Sequence, residues 1–111
     1  MNNLTKTEFM KIYNEGKNLT DKPIFIKFFA TWWGPCKMYE QVLNDVTPEY
    51  KDKINFYEVN IEQEPDMAGL FKVMSVPTTT TISKSGGVYS QPGALNEQTL
   101  KYYLEGLLQK N

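Results

Sequence analysis

The sequence contains no histidine and no arginine, and its 111 residues include a single cysteine, Cys36. A chain without histidine lacks the commonest general base and the commonest metal ligand of proteins. A single cysteine cannot form an internal disulfide, and without histidine it cannot complete the usual ligand set of a structural zinc site. We therefore predict neither a metal site nor a resident cofactor.

All the positive charge comes from lysine, and the formal net charge is −1. Lysine lacks the planar fork with which arginine binds phosphates and bases, and a nearly neutral chain is not drawn to nucleic acid or anionic membranes. Long apolar runs are also absent, because no stretch approaches the roughly 20 residues of a membrane-spanning helix and residues 1–6 lack the apolar core of a signal peptide. We expect a cytoplasmic monomer that forms one domain over residues 1–111.

Apolar spacing and turn residues predict four helices and four main strands. Asp21-Lys22-Pro23, Thr47-Pro48 and Ser85-Gly86-Gly87 mark breaks between them. The predicted helices run from Thr5 to near Gly16, from near Cys36 to Thr47, from Pro65 to Lys72, and from the N-cap Asn96 onward. In the third of these helices we predict that Met67, Leu70 and Phe71 face inward. The predicted strands are Ile24–Phe29, Ile54–Asn60, Thr78–Ile82 and Val88–Ser90. Strands separated by helices imply right-handed parallel crossovers, and the late hairpin adds antiparallel strands. The order predicts an α/β protein, a three-layer α/β/α sandwich with a mixed central sheet.

The most informative stretch runs from Ala30 to Lys37 and reads Ala-Thr-Trp-Trp-Gly-Pro-Cys-Lys. It lies between a predicted buried strand and a predicted helix, and Pro35 suits the first turn of that helix. Free amides and the helix dipole at such a junction favour an anion, including a thiolate. The stretch resembles the redox loop of the thioredoxin family, Trp-Cys-Gly-Pro-Cys, at every position but one.

This resemblance covers nearly the whole chain and implies the thioredoxin fold, including a short first strand near residues 2–5. Members of the family reduce protein disulfides by thiol–disulfide exchange, with electrons from a flavoprotein thioredoxin reductase that uses NADPH. One cysteine of the loop attacks the substrate, and a shielded cysteine three residues later resolves the mixed disulfide. On this alignment Trp33 occupies the attacking position and Cys36 the resolving position.

Two further stretches resemble the family's substrate groove. Ser75-Val76-Pro77-Thr78 resembles the loop that faces the redox loop and contains a cis proline, and it implies that the Val76 backbone can pair with an extended substrate segment. Pro92-Gly93-Ala94 resembles the glycine-containing loop that completes the groove. The resemblance thus predicts a substrate-binding set of Trp32, Gly34, Pro35, Val76, Pro77, Gly93 and Ala94.

Lys27 interrupts an otherwise apolar strand at the position where the family has a buried aspartate that assists proton transfer. On the neighbouring strand the family often has a lysine, and here that position is Glu58. A charge buried in mid-strand requires a partner, so we predict a Lys27–Glu58 pair of reversed sign with a catalytic role. The competing interpretation is that Lys27 extends to solvent and Glu58 is simply exposed. A cation near Cys36 favours the thiolate of that residue.

Three interpretations of Trp33 are compatible with the sequence. In the first, the chain is a variant of a disulfide-reducing thioredoxin and is impaired because an indole replaces the attacking thiol. In the second, it is a redox-inactive binding module that uses Trp32, Trp33 and the Val76-Pro77 groove to hold extended or disulfide-containing protein segments. In the third, Cys36 acts alone as a monothiol.

Overall fold

The computed structural model of the chain describes residues 1–110. Its helices are α1 (Lys6–Ile12), α2 (Gly34–Val46), α3 (Pro65–Leu70) and α4 (Glu97–Gln109), and a 3-10 turn, Thr47–Tyr50, follows α2. Its strands are β1 (Asn2–Asn3), β2 (Tyr13–Asn14), β3 (Lys17–Asn18), β4 (Ile24–Phe29), β5 (Asn55–Asn60), β6 (Thr78–Ile82) and β7 (Val88–Pro92).

Five of the strands form one mixed sheet in the order β1-β5-β4-β6-β7. Strands β1, β5 and β4 are parallel to one another, whereas β6 is antiparallel to both β4 and β7. Parallel neighbours need helical crossovers and antiparallel neighbours can be joined by a tight turn, as the order of elements predicts. The sheet is therefore mixed because β6 runs antiparallel to both of its neighbours, β4 and β7.

The two faces of the sheet carry separate apolar cores. Strand β4 supplies both of them, because alternate side chains of a strand point to opposite faces. On one face Phe25 packs with the buried residues of α2 and α4, and on the other Ile24, Ile26 and Phe28 pack with Phe9 of α1 and Met67 of α3. Helices thus cover both faces, and the predicted α/β/α sandwich of the thioredoxin fold is confirmed.

Helix ends follow the local signals that the sequence carries. The Thr5 side chain accepts a hydrogen bond from the Glu8 amide at 3.1 Å, and the Glu8 carboxylate accepts one from the Thr5 amide at 3.1 Å, so α1 begins with a capping box. The Asn96 side chain caps α4 by accepting from the Thr99 amide at 2.8 Å. Within residues 1–110 no helix is long and apolar enough to cross a membrane.

The prediction that the first helix continues to near Gly16 is wrong. Helix α1 ends at Ile12, and the chain turns into a small hairpin in which β2 pairs with β3. Glu15 and Gly16 both have positive φ, 50° and 75°, which a helix does not allow. Two hydrogen bonds to distant residues hold this hairpin: the Tyr13 hydroxyl donates to the Gly86 carbonyl at 3.0 Å, and the Asn18 side-chain amide donates to the Ser83 carbonyl at 3.2 Å.

The predicted inward position of Leu70 is also wrong, since 48% of this residue is exposed. Helix α3 ends at Leu70, and Phe71 takes the inward place at its C-cap, where its ring lies against those of Phe9 and Phe28. Met67 is fully buried as predicted. Phe71 and Met67 occupy the apolar space under this helix, which leaves the Leu70 side chain at the surface.

Candidate functional site

The candidate site lies where β4 passes into α2. Ala30 is buried at the end of the strand, and residues 31–33 form an exposed loop before α2 begins at Gly34. Trp33 is the N-cap residue of α2, but its side chain makes no capping hydrogen bond. Its carbonyl instead accepts the Cys36 amide at 3.1 Å, which closes the first turn around Pro35. The loop backbone is thus held while the Trp33 indole takes no part in the cap.

Two neighbouring indoles cover the outside of this loop. Trp32 is 65% exposed and Trp33 is 43% exposed. Their ring centroids lie 5.7 Å apart with an interplanar angle of 65°, an edge-to-face arrangement typical of favourable aromatic pairs. The pair presents a large apolar surface to solvent, and rigid exposed aromatics of this kind dominate the energetics of protein interfaces.

Cys36 points the other way, into the protein. It is the third residue of α2 and is only 4% exposed. Because the sequence has no other cysteine, its thiol has no partner within the chain with which to form a disulfide. The sulfur is therefore shielded from large disulfide substrates, and the exposed position three residues earlier carries a ring.

Lys27 is buried in the middle of β4 with 3% of its surface exposed, directly opposite Glu58 in the parallel pairing of β4 with β5. Its Nζ atom lies 3.5 Å from Oε1 of Glu58 and 4.8 Å from the centroid of the Phe29 ring. The Glu58 side chain is 31% exposed, against 4% for that of Lys27. The two charges are thus paired, and the glutamate provides the hydrated end of the pair.

A pocket of about 250 Å³ has both Lys27 and Cys36 among its walls. Its walls are formed by Lys27, Phe29, Ala30, Thr31, Cys36, Lys37 and Glu40. Phe29 and Glu40 were not predicted to belong to the site. The alternation of Phe25, Lys27 and Phe29 is the signal that could have found Phe29, because alternate residues of β4 share the face that α2 covers.

The second loop of the site contains Val76 and Pro77, joined by a cis peptide bond. Pro77 is buried and Val76 is half-buried. The Pro77 carbonyl accepts the Gly93 amide at 2.8 Å, and Gly93 has a φ of 94°, a backbone conformation that favours glycine. This hydrogen bond joins the proline loop to the exposed residues Gly93 and Ala94.

The sheet brings the two loops to the same end of its strands. Phe28 of β4 pairs with Thr78 of β6, so the chain that leaves β4 and the chain that enters β6 emerge side by side. Tyr39 of α2 links the same two regions, because its hydroxyl shares a hydrogen bond with Thr79 of β6. Burial raises the pKa of Tyr39 from 10.0 to about 12. The site is therefore assembled from β4, α2 and β6 around a fully buried tyrosine.

The family model described as Thioredoxin matches residues 1–106 of this chain. The chain belongs to the thioredoxin family. It is 34% identical over 85 residues to the thioredoxin of Haemophilus influenzae, a match that covers 77% of this chain and 79% of the relative. It is 33% identical over 89 residues to the chloroplastic M-type thioredoxin of Brassica napus, which covers 80% of this chain and half of that relative's length.

Among solved structures, the germline-specific thioredoxin Deadhead of Drosophila melanogaster superposes with a TM-score of 0.78 at 25% identity. The match covers 96% of this chain and 98% of that structure. Membership of the thioredoxin family supports thiol–disulfide oxidoreductase function in general, with protein substrates and thioredoxin reductase as general partners.

Proposed function

We propose that this chain binds extended protein segments in a thioredoxin-type groove and has lost the dithiol exchange of its family. One observation carries the proposal. The chain's only thiol is the shielded Cys36, 4% exposed, whereas Trp33 at the outer position is 43% exposed and carries no thiol. The part of the site that recognises a substrate is present, and the part that attacks it is not.

The chemistry explains why both thiols are needed. In the first step an exposed thiolate attacks one sulfur of the substrate disulfide, so that a mixed disulfide forms and the other substrate sulfur leaves as a thiolate. In the second step the resolving thiolate attacks that mixed disulfide and releases the reduced substrate. An indole cannot form the first bond. Cys36 by itself can form a mixed disulfide, but no second thiol in the chain releases it.

Binding depends on features that remain without the first thiol. The exposed indole edges of Trp32 and Trp33 provide apolar anchors, and the half-buried Val76 offers its backbone to an extended segment. Gly34, Pro35, Gly93 and Ala94 are all exposed, so the backbone around the anchors is open to close approach. We assign these residues to the contact surface for the substrate.

Lys27 and Glu58 are proposed to act on Cys36 through the pocket that Lys27 and Cys36 both line. Because both residues line this pocket, the charged pair lies on the buried side of the thiol. In a form with cysteine at position 33, this pair replaces the family's aspartate as the charged group beneath the resolving thiol. We further propose that the chain works in the cytoplasm and that only the form with cysteine at position 33 accepts electrons from a thioredoxin reductase.

Insulin reduction with dithiothreitol as the electron donor tests the loss of exchange. We expect the parent chain to give no turnover above the reagent alone and Trp33→Cys to restore it, since that variant recreates two thiols three residues apart. Trp32→Cys is the matched control, because it places a thiol on the adjacent exposed indole position without the required spacing, and it should stay inactive. Turnover by the parent, or an inactive Trp33→Cys with a normal fold, contradicts the proposal.

Binding is tested separately with carboxymethylated insulin B chain, which cannot exchange disulfides. Trp33→Ala should weaken binding of this probe several-fold, because truncation of an exposed aromatic anchor removes contact area. Tyr102→Ala is the control, since Tyr102 is an exposed aromatic residue of α4, 80% accessible, outside the proposed site. Equal binding by the parent and Trp33→Ala refutes the role of the indole.

A further inference from the structure

A groove outside the site runs along the last strand of the sheet. Strand β7 is an outer strand, and its residues Val88, Ser90 and Pro92 alternate onto one face. A pocket of about 350 Å³ at one end includes Val88 and Phe71 in its walls, and a pocket of about 190 Å³ at the other includes Phe71, Ser90 and Pro92. Phe71 lines both pockets, so they adjoin each other along this side of β7, and the two together are hereafter the β7 groove.

The outer edge of β7 has backbone groups directed away from the sheet. The Gly93 amide donates to the Pro77 carbonyl and the Ser83 amide donates to the Gly87 carbonyl, each at 2.8 Å. With the register of β6 and β7, these bonds direct the amides and carbonyls of Val88 and Ser90 outward. No strand within residues 1–110 pairs with that edge. An extended segment can therefore add to it as a further strand.

The walls of the groove include several exposed apolar side chains. Met10, Leu70 and Val88 line the larger pocket and are 53%, 48% and 48% exposed, and Met74 in the smaller pocket is 94% exposed. Single exposed apolar residues need no explanation, but these four residues along the β7 groove mark an interaction surface. A large aliphatic or aromatic side chain fits the pocket between Met10, Leu70 and Val88.

The groove continues from the proposed substrate site. Met74 and Ser75 line its smaller pocket and immediately precede Val76 and Pro77. The Thr78 hydroxyl donates to the Ser75 carbonyl at 2.7 Å, which fixes this corner of the loop. The smaller pocket therefore adjoins the loop that contains Val76, and a segment paired with the Val76 backbone can continue into this pocket. This continuity favours the substrate segment over any other occupant.

Charges at the two ends give the groove a direction. Exposed Glu15 lines the larger pocket, far from the site, and exposed Lys72 lines the smaller pocket beside it. Electrostatic complementarity selects partners and sets their register. The fitting segment therefore carries its basic residue at the far end, beyond the apolar side chain.

We propose that the protein segment bound at Val76 extends along the outer edge of β7 as an added strand. It places one large apolar side chain between Met10, Leu70 and Val88, and a basic residue beside Glu15. This inference rests on the proposed function, because the segment reaches the groove from the proposed substrate site. The five residues of β7 span about 16 Å at roughly 3.3 Å per residue, so the segment needs about five residues beyond the site.

The test compares two fluorescein-labelled peptides by anisotropy. The short peptide has six residues of alternating valine and threonine. The long peptide adds six residues that include a leucine and a terminal lysine. Two versions of the long peptide are made, one with the added residues at the N-terminus and one with them at the C-terminus. We expect one long peptide to bind about tenfold more tightly than the short one and to slow deuterium exchange at the Val88 and Ser90 amides. Replacing its leucine by serine should remove the gain.

Protein variants locate the effect. Leu70→Ser and Ser90→Pro should each abolish the gain of the long peptide and leave binding of the short one unchanged. Proline at position 90 removes the outward amide and also the hydroxyl that shares a hydrogen bond with Thr80. Ser90→Ala removes only that hydroxyl, so it is the control for Ser90→Pro and should keep the gain. Leu19→Ser is the control for Leu70→Ser, because Leu19 is 57% exposed on a different surface, and it should keep the gain.

Three results overturn the proposal. Equal affinity for both peptides, with unchanged exchange at Ser90, shows that the segment does not follow β7. Self-association of the parent that Ser90→Pro abolishes shows that the edge pairs with a second copy of the chain. If neither peptide binds, the proposed function fails at the Val76 groove, and this inference fails with it.

Discussion

Removing one charge of the Lys27–Glu58 pair should lower stability by very different amounts, depending on which of the two charges is removed. Glu58→Gln leaves the Lys27 ammonium buried, with 4% of its side chain exposed, whereas Lys27→Met leaves a carboxylate that is 31% exposed and can be hydrated. Removing one partner of a buried pair costs roughly 3–5 kcal/mol when the remaining charge is uncompensated. We therefore expect Glu58→Gln to lower the free energy of unfolding by about 3 kcal/mol and Lys27→Met by about 1 kcal/mol or less.

The double variant Lys27→Met/Glu58→Leu should recover most of the loss, because replacing both charges by apolar groups removes the desolvation penalty. Urea unfolding followed by far-ultraviolet circular dichroism measures all three values, since both tryptophans are exposed and report poorly on burial. In thermal unfolding, 3 kcal/mol corresponds to roughly 10 °C or more for a chain of this size.

The matched control is the Lys101–Glu97 pair of α4, which is 3.2 Å long with side chains 47% and 61% exposed. Exposed pairs of this kind contribute about 0.3–0.5 kcal/mol, so Lys101→Met should have almost no effect. If Glu58→Gln proves no more destabilising than Lys101→Met, or no more than Lys27→Met, the Lys27 ammonium reaches water and the argument from burial is wrong.

Two further predictions concern positions outside the site. Gly86→Ala should destabilise the protein by at least about 2 kcal/mol in urea unfolding, because Gly86 has a φ of 113° and a Cβ atom there meets the Gly16 carbonyl oxygen at 2.0 Å. Gly69→Ala, in a helix with open space around it, should be neutral or slightly stabilising, and an equal loss in both variants contradicts the contact. Stability should also fall between pH 10 and about 12, because an unfolded tyrosine loses its proton near 10.0 while buried Tyr39 keeps its proton up to about 12. Tyr39→Phe should reduce that slope by up to about 1.4 kcal/mol per pH unit, and an unchanged slope shows that Tyr39 does not titrate as described.

The fold could be predicted because its signals are local and repeated. The apolar alternation of β4, the Asn96 cap and the proline at the start of α2 each act through neighbouring residues, and they agree with one another. The first helix was predicted too long for the opposite reason. Its apolar spacing continues past Ile12. The Tyr13 hydroxyl, however, donates a hydrogen bond to the carbonyl of Gly86, 73 residues away, and no local sequence pattern indicates that contact.

The candidate site could be predicted by residue type and only partly by arrangement. Cys36, Trp33 and Pro77 were found from the resemblance to the family's redox loop and proline loop, and the pairing of Lys27 with Glu58 was predicted from the requirement that buried charge be compensated. The pocket that Lys27 and Cys36 both line was not predicted. Its walls come from β4, the loop after it and α2, and their spacing depends on how the helix packs on the sheet.

By itself the sequence determined the order of the main elements, the family and the limits of the chemistry. One cysteine excludes an internal disulfide, and the absence of histidine excludes a histidine general base, whatever the fold. Only the tertiary structure decided which side chains meet water. Burial is a property of the neighbours that cover a residue, and those neighbours come from distant parts of the chain. Packing therefore encloses Lys27 and Cys36 and leaves Trp33, Leu70 and the outer edge of β7 open to a partner.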